Sequence, residues 1–432
     1  MKYLIILGRG VEGAGNTRNA IDYEKWLNAN GHEAKVIAYC DRGWGRSNAH
    51  EGCKSFKKFY LSKGIDDILK EIDWADRILM LSVPIKKCED AIKDNFMKTV
   101  QYAKDKGIFQ AYFQLDHNLQ SIYRNFYSEE KYYGFFPLMD IVFTHSLQND
   151  FCNRFVKEHG IQLNKLVVRN DKISNVFGID FDEMRQKYWQ PCSAKEKKSV
   201  RFIGRAAIWK GPWVLKDIHT KFLRADGYIT YMEGIESALH SINFIFKSLH
   251  PRVLDDNNIS LLKYRKDAIA VDNGTYPFER NKPVYLLPPY NNHLCMQRLA
   301  KTEYGCELLF LKDYFLENTI ENAMLEMVAV GSIPIFRKHW AEKFRVGGKT
   351  MAEWGEKETG TIFMDENDPE PSVKKMDAIA ANPAIYDKMR ENAYAFYKKY
   401  FDINVVCKLL IDEIDKRAEE IKKEKEANDA SL

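Results

Sequence analysis

No stretch of the 432-residue chain approaches the roughly 18 consecutive apolar residues that a membrane helix needs. The N-terminal MKYLIILGRG runs into glycines where a secretory leader would carry a longer apolar core and a cleavage site. Neither a membrane protein nor a secreted one is expected, and the chain reads as cytoplasmic. Net charge is also scarce: 65 Lys and Arg stand against 61 Asp and Glu, a balance of +4. That is too little to announce a nucleic-acid partner by bulk charge, so any DNA-binding groove has to be local. The eight cysteines include no C-x-x-C pair, which argues against a zinc site or a disulfide framework and for reduced, mostly buried thiols. What is present is the composition of a packed enzyme, 45% hydrophobic and 29% charged, with a high 13% of aromatics that cluster along the chain. At about 100–200 residues per domain, the length predicts two domains.

Short apolar runs alternate with helical patterns. Residues 3–7 (YLIIL), 34–39, 77–83 (RILMLSV), 108–114 (IFQAYFQ), 140–145 and 166–169 read as buried strands of a parallel, doubly wound α/β sheet. A second series of candidate strands follows at 200–203, 228–232, 284–287, 307–311 and 333–336, with a helix over 319–330. The polar stretch 190–199 (QPCSAKEKKS) reads as a linker between a first domain, 1–189, and a second, 200–390. Helices over 391–415 are expected to pack back on the first domain, and the Lys/Glu run 416–432 to be a solvated, fraying helix. Residues around 250–283 look like an insertion.

Two constellations carry chemistry. Gly8-x-Gly10-x-x-Gly13 follows the first strand and precedes a helix, with Asp41 just past the second strand. Literally this is a dinucleotide fingerprint. Physically it says only that backbone can approach an anion at a helix N-terminus, with Gly13 and Gly15 as candidate diphosphate contacts, and a tight turn with no ligand stays open. In the second domain, Arg205 and Lys210 lie five apart just after a strand, where a guanidinium fork and a point charge suit a diphosphate. Glu321 and Glu326 follow on one helix, and a carboxylate there can accept both hydroxyl protons of a ribose.

Together these elements resemble the C-terminal half of retaining glycosyltransferases of the GT-B architecture, two Rossmann-like domains facing each other across a deep interdomain cleft. The resemblance implies that Arg205 and Lys210 hold the diphosphate and that Glu326 binds the ribose. The group's usual first acid, eight residues before Glu326, falls on Asn318, leaving Glu317 and Glu321 as candidates for its role. The stretch Arg9 to Thr17, with Ser82-Val83-Pro84, Gln114-Leu115-Asp116-His117, Tyr188-Trp189, Met232-Glu233-Gly234 and Phe363-Met364-Asp365-Glu366, is similar in order and spacing to the T-even bacteriophage DNA α-glucosyltransferase family.

That family implies transfer of a sugar from a UDP-sugar to the hydroxymethyl oxygen of 5-hydroxymethylcytosine in duplex DNA. Configuration is retained, no metal is required and no cofactor is permanently bound. Such modification protects phage DNA from nucleases. Asp116 and His117 are the expected catalytic pair; Asp116 either deprotonates or orients the acceptor, or stabilises positive charge developing on the sugar. Leu115 stands where the family's glucosyl enzyme has a histidine. It is therefore the candidate for sugar selectivity, with UDP-arabinose as a pentose alternative to UDP-glucose. The target base is expected to flip out of the stack. Arg124 and Lys131, set among aromatics between residues 112 and 143, are candidate phosphate contacts, and Arg42, Arg46, Lys54, Lys57 and Lys58 form a second basic loop. Recruitment by a replication protein is left open. Two readings compete: a glycosyltransferase with a lipid, protein or small-molecule acceptor, and an NAD-binding oxidoreductase.

Overall fold

The computed structural model describes residues 1–8, 15–41, 56–81, 83, 88–113, 134–144, 177–204, 208–234, 260–262, 284–286, 292–311 and 313–430, and pieces between 153 and 168. The chain divides into two compact units, Met1–Gly178 with Ile403–Leu432, and Ile179–Asp402.

Among the described residues the first unit holds seven strands: β1 (Lys2–Leu7), β2 (Glu33–Tyr39), β3 (Lys57–Phe59), β4 (Arg77–Met80), β5 (Phe109–Phe113), β6 (Ile141–Thr144) and β7 (Leu166–Val168). Their order is β3-β2-β1-β4-β5-β6-β7, and every neighbouring pair is parallel. β1 is buried from Tyr3 to Leu7 because both faces of a parallel sheet are covered, which is why it reads as a continuous apolar run. β1 therefore ends at the switch point between β1 and β4, and the next described element is the helix Gly15–Ala29.

Two features correct the sequence reading. Lys57 and Lys58 belong to the edge strand β3, not to a basic loop, and the Lys57 ammonium lies 2.5 Å from Glu71. Asp41 is buried, and its two carboxylate oxygens accept the N–H groups of Leu61 (2.7 Å) and Ser62 (2.8 Å). An acid so committed to backbone is poorly placed to hold the ribose of a dinucleotide, which weakens the NAD reading.

The C-terminal helix Ile403–Asp429 belongs to this unit. Its apolar residues Ile403, Val406, Cys407, Leu410, Ile411 and Ile414 recur at helical spacing. They are buried in one cluster with Tyr3, Ile5, Leu7, Tyr23 and Leu27. Arg77 of β4 binds Asp415, and Arg417 reaches Glu420 (3.1 Å) and Glu424 (3.0 Å). The segment read as a solvated helix is helical through Asp429, and most of its residues beyond Arg417 are exposed.

The second unit carries β8 (Glu196–Gly204), β9 (Ile229–Gly234), β10 (Ser260–Leu262), β11 (Val284–Leu286), β12 (Thr302–Glu307), β13 (Ile333–Arg337), the short antiparallel pair β14 (Arg345–Val346) and β15 (Lys349–Thr350), and β16 (Ile362–Met364). Its main sheet runs β10-β11-β9-β8-β12-β13-β16, again with every neighbour parallel, so its switch point lies between β8 and β12. The stretch read as a linker contains the start of β8. Just before it, Lys195 is buried and donates to the carbonyl oxygens of Ala300 (2.6 Å) and Thr302 (3.3 Å). The strand expected over 307–311 lies earlier, at Thr302–Glu307. The helix Pro383–Phe401 stays with this unit.

Candidate active site

β8 ends at Gly204, whose φ of 138° lies in the region that favours glycine. Four residues later a turn, Ile208–Lys210, brings Lys210 back over it. The lysine Cδ and Nζ sit 3.5 and 3.6 Å from where a Cβ on residue 204 would stand. The ammonium lies 2.7 Å from Oε1 of Glu307, the last residue of β12, and 3.2 Å from Oε2 of Glu321. Glu321 is the N-cap position of the helix Asn322–Ala329, and Glu326 is buried one turn further along it. One cation and the carboxylates thus converge at the switch point of a parallel sheet, where ligands of open α/β folds bind.

Burial pushes the Glu307 carboxyl up to about 7. The Lys210 ammonium opposes that rise, and the negative charges of Glu321 and Glu326 reinforce it. For Lys210, burial disfavours the charge, but Glu307 and Glu321 outweigh it and hold the ammonium above its ordinary range. Lys210 therefore stays cationic at any physiological pH.

Backbone contacts fix the turn in place. The Phe310 N–H donates to the Trp209 carbonyl at 2.6 Å, and Gly211 (φ 71°) packs so closely that a Cβ there would lie 2.3 Å from the Leu308 carbonyl oxygen. Gly211→Ala is therefore expected to cost about 1–2 kcal/mol for the left-handed backbone alone, with more from the clash. Because the turn carries Lys210, the same change should weaken binding of the diphosphate ligand that this cation suits. Thermal unfolding and UDP titration of the variant check both effects; an unaltered Kd would detach the turn from the site.

Beside this cluster, the Glu233 carboxylate accepts from Arg201 of β8 (2.9 Å) and from Arg298 of the helix Asn292–Lys301 (2.8 Å), all three side chains being buried. Arg201 also donates to Thr302 (3.0 Å) and lies over the Tyr231 ring at 4.3 Å. Glu233, part of the Met232-Glu233-Gly234 motif, is thus engaged in a buried ion triad. Burial holds the nearby Cys295 thiol protonated, with Glu233 and Glu326 adding to the effect, so it is not a nucleophile.

Of the expected site residues, Lys210, Glu321 and Glu326 are brought together. Between the two substitutes for the missing first acid, Glu321 is the one that meets Lys210. The Glu317 carbonyl accepts from the Arg345 N–H in the direction of β14, and the buried Asn318 amide nitrogen has no partner among the described residues. Gly15 begins the helix after β1. Gly13, Leu115, Asp116, His117, Arg124, Lys131 and Arg205 lie outside the described residues, as do Arg42, Arg46 and Lys54. Glu307 was missed as a site residue. It was read as the opening of a strand that in fact ends on it, and an acid closing a buried strand at the crevice edge was the available signal.

The sequence profile of the family described as DNA alpha-glucosyltransferase matches residues 14–384. The chain belongs to this family. The DNA alpha-glucosyltransferase of Enterobacteria phage T4 is 29% identical over 423 residues, 96% of this chain and all of the relative. A crystallised alpha-glucosyltransferase in complex with UDP and a 13-mer DNA containing an HMU base superposes with a TM-score of 0.80 at 27% identity, covering 96% of this chain and 99% of the other. One in complex with UDP-glucose and DNA containing an abasic site matches equally well, with the same TM-score, identity and coverage. The α/β architecture of this DNA α-glucosyltransferase family member is GT-B, with two Rossmann-like domains. No helix among the described residues is long and apolar enough to cross a membrane, and no group of three or more His, Cys, Asp or Glu there could hold a metal ion.

Proposed function

We propose that the protein transfers a sugar from a UDP-sugar to the hydroxymethyl oxygen of 5-hydroxymethylcytosine in duplex DNA, with retention of configuration, in the cytoplasm of an infected cell. The observation that carries this reading is the Lys210 ammonium, held by Glu307 and Glu321 at the switch point of the second sheet, in a chain matching the family over residues 14–384. Relatives bound to UDP, UDP-glucose and HMU-containing DNA support both substrates.

In this reading Lys210 and Arg205 take the negative charge that builds on the departing diphosphate, the largest electrostatic demand of the reaction. Glu326 accepts the ribose hydroxyls, and Glu321 holds Lys210 or a sugar hydroxyl. Asp116 serves the acceptor or the sugar cation, with His117 positioning beside it, and Gly13 and Gly15 let backbone approach the donor. Arg124 and Lys131 hold DNA phosphates while the base is flipped.

Glu326→Gln is expected to raise the KM for the UDP-sugar by about tenfold to a hundredfold, the loss of a charge-assisted hydrogen bond. An unchanged KM would remove Glu326 from the ribose. Mass spectrometry of hydroxymethylcytosine DNA incubated with a panel of UDP-hexoses and UDP-pentoses tests the function as a whole. A hexose adduct assigns glucose or a stereoisomer. A pentose adduct assigns the arabinose-type donor that Leu115 would suit, and no adduct with any donor would overturn the reading.

A further inference from the structure

Among the described residues, the Lys210 cluster holds more negative than positive charge. Glu307, Glu321 and Glu326 converge on it from the end of β12 and from one helix. Glu307 has no exposed surface, Lys210 and Glu326 are each less than a tenth exposed, and water screens this part of the site weakly. Among the described residues its other flanks add no uncommitted countercharge: β8 ends in Gly204, β13 presents Phe336 opposite Glu307, and the nearby Arg201 and Arg298 are engaged by Glu233. The next residue, Arg337, is bound to Glu366. On Glu307's own strand, Cys306 is buried and kept protonated. Such a cluster has to accept a diphosphate, which brings further negative charge to the same ammonium.

Carboxylates facing an incoming anion must move away or become neutral. Glu321 occupies a helix N-cap position without a side-chain cap bond and is a quarter exposed, so it can turn toward solvent. Glu307 is the last residue of a central strand, fully buried, and cannot. Its Oε1 lies 2.7 Å from Lys210, while its buried Oε2 has no hydrogen-bond partner among the described residues and is the atom able to take a proton.

We propose that Glu307 makes donor binding proton-linked: as a diphosphate settles on Lys210, Glu307 takes up one proton from solvent at Oε2, releasing the lysine's charge to the phosphates. No other bond forms or breaks. Glu307 is in this sense a positioning residue, acting on the donor through Lys210. Its ordinary titration, which burial already raises to about 7, lies where such a switch has consequences at physiological pH. The sign follows from linkage. Added negative charge raises the carboxyl's proton affinity further, so the bound state holds more protons and affinity falls as pH rises.

The inference rests on the UDP-sugar reading, and calorimetry separates the two. UDP-glucose is titrated into the full-length protein in buffers of different ionisation enthalpy, without DNA; its diphosphate diester does not titrate near neutrality. Proton uptake is expected around pH 7.5, with Kd rising by up to about tenfold per pH unit above neutrality. In Glu307→Gln, which mimics the protonated carboxyl, uptake should vanish and Kd should change less than about twofold over the same range. Absence of uptake in the unaltered protein, a measurement that needs no variant to fold, overturns the proposal. Uptake that persists in Glu307→Gln also overturns it, by assigning the proton elsewhere. Failure to bind any UDP-sugar at any pH would sink the donor reading and this inference with it.

Discussion

Replacing Lys210 with alanine is expected to lower sugar transfer by about two to three orders of magnitude, the usual effect of removing one preorganised charge from a transition state. The loss should appear mainly in kcat/KM for the donor, because both the bound diphosphate and the departing one lean on this ammonium. The fold should survive at reduced stability. Glu307 would lose its 2.7 Å partner and become a buried acid beside two other carboxylates, and it would relieve that by holding a proton. A carboxyl whose folded-state affinity for protons lies above its unfolded value contributes stability that is present at low pH and lost as pH rises through the folded value. The variant should therefore fall behind the parent protein in thermal stability progressively above about pH 7, and be nearest to it in mild acid. Steady-state transfer and melting curves at several pH values read both effects. Wild-type rates in the variant would show that the diphosphate sits elsewhere. Arginine is not a safe substitute, because a planar fork is not interchangeable with the compact ammonium that meets both Glu307 and Glu321.

The second large effect concerns stability rather than chemistry. Glu233→Ala leaves Arg201 and Arg298 buried with no carboxylate between them. Breaking a buried ion network by removing one member costs about 3–5 kcal/mol. For a unit of this size that corresponds to a fall of roughly 10 °C in melting temperature. Glu233→Gln, which keeps an acceptor and loses the charge, should fall between. A variant that replaces all three members by apolar residues of similar volume should recover most of the loss, because the desolvation cost disappears along with the attraction. If Glu233→Ala melts with the parent protein, the triad is not what holds β8, β9 and the helix Asn292–Lys301 together.

These two residues illustrate what a sequence exposes and what it hides. Lys210 was legible because an arginine and a lysine five apart just after a strand form a local pattern, and local patterns survive in one dimension. Glu233 was visible only as part of a short motif. Its two partners lie 32 and 65 residues away in the chain, and nothing in its neighbours names them. β12 was displaced in the sequence reading because its residues, TEYGCE, include two acids and a glycine. They are buried nonetheless, since Glu303 accepts from the Lys198 N–H at 2.8 Å and Glu307 meets Lys210. Polar satisfaction at long range made a strand of a segment whose hydrophobicity did not announce one.

Alternating apolar runs and residue spacing, by themselves, determined two parallel α/β sheets and the turn and helix that carry Lys210 and Glu326. Each of those is announced by a pattern among near neighbours in the chain. The tertiary structure alone decided that Glu321 and not Glu317 meets Lys210, that Glu307 completes the cluster, that Asp41 caps a backbone turn, and that the last helix packs against β1's unit. These are meetings of groups far apart in the chain. They depend on strand order and on which buried charges find each other, and a linear pattern records neither.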